Sequence, residues 1–142
     1  MKLVVDINVL VSGTLWQGNP SRLLDALLEG AAMLCASGAV LAEFEQVLQR
    51  ERFHKRLAHR GRSPQEIVSR FRAASLIVEG PTIPVPAALR DPEDVHILAC
   101  ALGAGADGIV TGDHDLLAMG TFEGIPVLNV RQALEKLGIS AG

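Results

Sequence analysis

Lys2-Leu3-Val4-Val5-Asp6-Ile7-Asn8-Val9-Leu10-Val11-Ser12-Gly13 opens the chain, and its reading decides the fold. Leu3 to Val5 form an uninterrupted apolar run that meets its first acid at Asp6. A strand with one wet face alternates polar and apolar residues, whereas a parallel strand covered on both faces does not, so Leu3 to Val5 read as a buried parallel strand. Asp6 then marks its carboxyl end. In open parallel sheets ligands sit in the crevice beyond those ends, so an acid delivered there is placed for chemistry. The same position would also suit a residue that merely caps the following turn, and the remainder of the chain has to decide between the two.

The 142 residues bound the answer to one domain, residues 1–142, with a sizeable core. Nearly half the residues are apolar and few are aromatic, which suits an α/β core of Val, Leu, Ile and Ala and excludes disorder. No apolar run approaches a membrane span, and Asp6 interrupts what would be the hydrophobic region of a leader, so a cytoplasmic location is expected. Cys35 and Cys100 each sit in an apolar segment, which reads as two buried free thiols. The net charge of −3 hides a segregation: Arg50 to Arg72 hold eight basic residues against two glutamates, leaving five basic against fourteen acidic elsewhere. Such segregation points to an anionic partner for the basic segment and a cation where acids converge, with a solvated helix face as the plainer reading.

Along the chain, Thr14 to Pro20 read as a loop containing Trp16, and Ser21 to Gly30 as a helix with leucines three and four apart. Ala31 to Ala36 read as a second strand and Ala39 to Arg50 as a helix with the stripe Val40, Leu41, Phe44, Val47, Leu48. Glu43 borders that stripe and can look inward, whereas Glu45 falls on the outer face. Phe53 and Leu57 anchor the basic segment. Ser63-Pro64-Gln65-Glu66 has the form of a capping box starting a helix, Ser75 to Glu79 read as a third strand, and the three prolines of Gly80 to Pro86 exclude regular structure. In Arg90-Asp91-Pro92-Glu93-Asp94, Asp91 suits a cap and Asp94 the third position of an apolar helix. Ala106 to Val110 form another strand before Thr111-Gly112-Asp113-His114-Asp115, where Asp113 suits a cap and Asp115 the first turn. Ile125 to Asn129 read as an edge strand because of Pro126, and Val130 to Leu137 as a closing helix.

Strands alternating with helices imply a parallel sheet of four to five strands between two helical layers. In such a sheet Asp6, Glu43, Asp94 and Asp113 could meet at one rim. Crowded carboxylates must share protons or hold cations, and an all-oxygen set selects Mg²⁺ or Mn²⁺ over zinc. A cation so held commonly neutralises phosphate oxygens and activates water, which makes phosphodiester hydrolysis the natural inference and gives the basic segment, with Arg50, Arg52, Lys55 and Arg56, a nucleic-acid backbone to hold.

At these residues the chain resembles the PIN-domain nucleases, and more closely the bacterial and archaeal toxins of toxin–antitoxin pairs similar to VapC. The likeness rests on Val4-Val5-Asp6-Ile7-Asn8-Val9-Leu10-Val11-Ser12, Leu41-Ala42-Glu43-Phe44, Arg90-Asp91-Pro92-Glu93-Asp94, and Val110-Thr111-Gly112-Asp113-His114-Asp115-Leu116-Leu117. It implies a three-layer α/β/α PIN-like domain, site acids at Asp6, Glu43, Asp94 and Asp113, and metal on Asp6, Asp94 and Asp113. Asn8, Thr111 and Asp115 are implied as supporting residues. It further implies Mg²⁺ or Mn²⁺, single-stranded RNA as substrate, a homodimer and a small antitoxin partner. Ile7 departs from the Thr or Ser usual at that place, which removes a hydroxyl beside the first acid, and Asp91 competes with Asp94 for the third acidic position.

Two other classes stay open on sequence. A catalytically weak or silent PIN-fold module would bind RNA or a partner without turnover. An acid-nucleophile phosphatase would also end its first strand on an acid, but it would want a second acid two places on, where Asn8 stands.

Overall fold

The computed structural model describes residues 1–87 and 89–142, with the backbone alone for Glu93, whose side chain in the Arg90-to-Asp94 motif lies outside the described residues. Six strands form the sheet: β1 (Lys2–Val5), β2 (Met33–Ala36), β3 (Ser75–Ile77), β4 (Gly108–Val110), β5 (Thr121–Phe122) and β6 (Ile125–Leu128). Their order is β3-β2-β1-β4-β6-β5, parallel throughout except where the short β5 pairs antiparallel with β6. The helices are α1 (Ile7–Leu15), α2 (Asn19–Leu28), α3 (Gly38–Leu48), α4 (His54–Arg60), α5 (Pro64–Ala74), α6 (Val95–Ala104), α7 (His114–Met119) and α8 (Val130–Lys136). Together they make the expected three layers, and the five parallel strands match the sheet read from the sequence, with β5 as an addition.

Leu3, Val4 and Val5 are all buried, as a strand covered on both faces requires. From β1 the chain steps outward to β2 and β3, then returns through α6 to β4 on the other side of β1. The order therefore reverses between β1 and β4, whose register sets Val5 opposite Val110. That reversal opens a crevice at the carboxyl ends of these two strands. The core continues through Phe44 of α3, which meets Phe71 of α5 edge-on at 5.4 Å, and includes both cysteines as free thiols. Burial pushes the Cys100 thiol up to about 11. Among the described residues no helix is long and apolar enough to cross a membrane.

Several local expectations are corrected. α1 starts directly after Asp6 and runs through Thr14 and Leu15, where the sequence pattern suggests a loop. Within it Gly13 lets α2 come close: a Cβ there would stand 2.5 Å from Leu24 Cδ1 and 2.8 Å from the Pro20 carbonyl oxygen. α2 begins at Asn19, taking Pro20 into its first turn, and ends at Leu28. Trp16 is 45% exposed and meets Phe53 edge-on at 6.0 Å. At α5, Glu66 Oε1 accepts the Ser63 hydroxyl rather than its amide, whereas a complete capping box starts α8 through Asn129 and Gln132. A 3-10 turn, Pro92–Asp94, precedes α6, so Asp94 stands at the cap position of that helix and not at its third residue.

β6 is not an edge strand. Val127 N–H points to the Gly120 carbonyl on the β5 side, so the Pro126 nitrogen turns towards β4, where pairing starts only at Val127. The missing donor is never needed there.

Candidate active site

Asp6 extends the β1–β4 ladder by one bond, its amide donating to the Val110 carbonyl at 2.8 Å, and its carbonyl accepts the Val9 and Leu10 amides that start α1. Its side chain is 3% exposed. Oδ2 accepts the Thr111 hydroxyl at 2.7 Å, and the Thr111 oxygen in turn accepts the Asp113 amide at 3.0 Å. A hydroxyl has one proton, so this relay fixes its direction: Thr111 donates to Asp6 while the backbone of Asp113 orients Thr111. Asp113 is the cap of α7, with Oδ1 accepting the Asp115 and Leu116 amides at 2.8 and 3.1 Å. One carboxylate oxygen of Asp113 is thus spent on the helix, and Oδ2 takes no part in the cap.

Burial raises the Asp6 carboxyl, against the hydrogen bonds from Thr111 and the Ile7 amide that favour its ionised form; the charges of Asp113 and Asp91 raise it further. Asp94, half-buried, is pushed up to about 7, first by burial and then by the fields of Asp6, Asp113, Asp91 and Glu43. Glu43 reaches the cluster from α3, with Oε2 shut off from solvent.

The fold therefore gathers Asp6, Thr111 and Asp113 by hydrogen bonds, and Asp94 and Glu43 by proximity. Asn8 is exposed and shares a depression of about 420 Å³ with Ser12, Gly112, Asp113 and His114. Asp115 is drawn aside by Arg90, whose Nε lies 3.1 Å from its Oδ2. Ile7 is buried, so the place of the family hydroxyl is filled by core packing. Arg50, Arg52 and Lys55 are exposed, with the Arg52 guanidinium 4.8 Å from the Phe53 ring centroid. Arg56 instead gives its Nε to the Leu15 carbonyl, closing the end of α1.

Reading from the residues alone missed Thr111 as the link between two acids. A buried threonine after a strand resembles many core threonines, and only the β1–β4 register, which sets position 111 beside position 6, reveals its partner.

Could these residues hold a cation? The donor set is all oxygen and carries excess negative charge, which suits a hard divalent ion. Among the described residues, however, no three Asp, Glu, His or Cys side chains already converge closely enough to form a ligand cage. The donors fit a hard divalent ion in kind, through their oxygen atoms and charge, and not as a ready-made cage.

Comparisons with known proteins bear on the fold and the family. A family model described as PIN domain matches residues 2–115. Among solved structures, the chain is similar to one from VapBC2 of Rickettsia felis, determined bound to a DNA fragment from its promoter: TM-score 0.58, 15% identity, 91% of this chain and 98% of that chain covered. It is also similar to PAE2754 from Pyrobaculum aerophilum, with TM-score 0.61, 19% identity, and 97% and 96% of the two chains covered. No curated protein sequence matches the chain. At these identities the structures speak to the fold, while the family match spans the elements from β1 to the start of α7, including every acid of the cluster: the chain belongs to the PIN domain family.

Proposed function

We infer that the chain, acting as a single PIN-like domain over residues 1–142, is a Mg²⁺- or Mn²⁺-dependent endoribonuclease that hydrolyses phosphodiester bonds of single-stranded RNA. The observation that carries this reading is the relay by which Thr111 ties the buried Asp6 to Asp113 at the carboxyl ends of β1 and β4, where Asp94 adds a further acid whose titration is raised by burial and then by their charges. Asp6, Asp94 and Asp113 would hold the ion, with Glu43 assisting at its side. When bound, such an ion neutralises phosphate oxygens and lowers the pKa of a coordinated water. The chain's own residues do the rest. Thr111 favours the ionised form of Asp6 against its burial and aims its Oδ2, the α7 cap fixes Asp113, and Glu43 stands ready to take the proton of an attacking water. Family membership and the likeness to a chain from VapBC2 support a toxin role with a small antitoxin partner; we assign a cytoplasmic homodimer with that role.

The test is cleavage of a single-stranded RNA. Turnover with Mn²⁺ or Mg²⁺, lost with chelator and lost in Asp6→Asn, is the expected result; cleavage that survives both overturns the assignment. The second reading, a weak or silent RNA- or partner-binding module, is favoured by one observation: Ile7 puts a buried alkyl group where the family hydroxyl would stand. Tight RNA binding with no turnover under any divalent ion would establish it.

A further inference from the structure

A groove of about 690 Å³ opens away from the acids, at the far end of α1, between α2 and the α4–α5 pair. Arg22, Arg60, Arg62 and Arg70 line it, against a single acid, Asp25. None of the four is ion-paired among the described residues. Arg60 is held in place by donating Nε to the Thr14 carbonyl at 3.1 Å, and Arg22 reaches the Ser140 carbonyl at 3.5 Å. Arg62 and Arg70 are exposed and make no hydrogen bond to described residues.

Four guanidiniums around one concavity repel each other unless an anion enters, and the planar fork of arginine matches phosphate oxygens. Gly18 and Ser21, at the start of α2, face the same groove and add the positive end of a ten-residue helix. The apolar lining argues against an amphipathic peptide as occupant: Leu24, Ile67 and Phe71 are 2%, 5% and 5% exposed, already committed to the core, which leaves Leu28 alone as a partly open apolar contact. A sugar-phosphate backbone needs none.

α1 joins the groove to Asp6. Its nine residues span roughly 13 Å, the length of about four stacked nucleotides at ~3.4 Å each. We propose that this arginine groove is a second RNA-binding site, gripping backbone phosphates about four nucleotides or more from the bond cut at the acids, so that the chain favours long single strands over short ones. This rests on the ribonuclease reading for its cutting site.

The probes are labelled oligouridylates of about four and about twelve nucleotides, bound to Asp6→Asn protein so that nothing is cut, with and without Arg62→Ala/Arg70→Ala. The double variant should bind the long strand roughly tenfold more weakly, with a salt slope lower by about 1.4 for two lost phosphate contacts, and bind the short strand unchanged. Arg62→Lys/Arg70→Lys should recover most of the loss, and melting should be unaltered because both side chains are exposed. Equal affinity and salt slope for the long strand in the double variant would overturn the proposal; so would a polyglutamate peptide that binds through these arginines while RNA does not. The two readings fail separately. Wild-type protein that cuts no RNA, yet keeps arginine-dependent binding of the long strand, loses the ribonuclease and keeps the groove. Cutting with no arginine dependence at either length loses only the groove.

Discussion

Thr111 and Asp6 stand 105 positions apart in the chain, and the Thr111 hydroxyl donates to Asp6 Oδ2 at 2.7 Å in the buried crevice between β1 and β4. Because the same oxygen accepts the Asp113 amide, that proton has no alternative direction. Thr111→Val keeps the shape and deletes the donor, leaving a buried carboxylate one bond short. Unfolding in urea should show a loss of about 1–3 kcal/mol, with Thr111→Ser recovering most of it. A valine variant as stable as the parent would mean that the bond contributes nothing.

Asp94 makes stability depend on pH. Its folded pKa, about 7, lies above the ordinary value of 3.8, so between about pH 4 and pH 7 the folded chain holds a proton that the unfolded chain has released. Stability from this group is therefore full below about pH 4 and drains away as pH rises through 7. The group is partly exposed, so screening reduces the effect to something on the order of 1 kcal/mol. Metal-free protein should lose melting temperature across that window, and Asp94→Asn should flatten the loss. Mg²⁺ or Mn²⁺ should restore it progressively as pH passes 7, since ligands bind deprotonated. A melting temperature indifferent to Asp94→Asn at every pH would show that the acids do not crowd one another.

How far was this legible in the residues? Leu3 to Val5 declared a doubly covered strand because burial on both faces leaves a one-dimensional trace, and the acids at strand ends followed from it. Thr111 left no such trace, since its partner is set by register between β1 and β4. Pro126 misled for a related reason: whether a missing donor matters depends on which neighbour the nitrogen faces, and Val127 pairing with Gly120 settles that only in three dimensions. Likewise the basic segment showed its charge, but Arg56 and Arg60 turn to the carbonyls of Leu15 and Thr14, and Arg22 joins the groove from a different helix. Charge counts along a chain cannot separate arginines that hold a helix end, as Arg56 and Arg60 do, from exposed ones such as Arg62 and Arg70 that make no hydrogen bond to described residues.

Gly13 shows a requirement for small size. A Cβ there would fall inside contact distance of Leu24 and of the Pro20 backbone oxygen; the leucine can shift, but the backbone can do so only by parting α1 from α2. Gly13→Ala should cost about 1–3 kcal/mol despite the better helix propensity of alanine. Chemical denaturation measures it, and a stabilised alanine variant would show that the two helices separate freely.

Glu123 offers the opposite case, a place where the native residue is not the best one. With Gly124 it makes the two-residue connection from β5 to β6, and both have positive φ, 49° for Glu123 and 78° for Gly124. Tight hairpins of this handedness prefer Asn-Gly, because a side chain with a Cβ crowds the following carbonyl in the left-handed region while asparagine tolerates it. Glu123→Asn should therefore stabilise the chain by about 0.5–1 kcal/mol. The hairpin supports β6, and the Leu128 carbonyl of β6 accepts the Thr111 amide at 2.9 Å, so the gain should appear as slower hydrogen exchange at Thr111 as well as a higher melting temperature. If exchange at Thr111 stays constant while melting rises, β5 and its turn open independently of the strand that holds the acids.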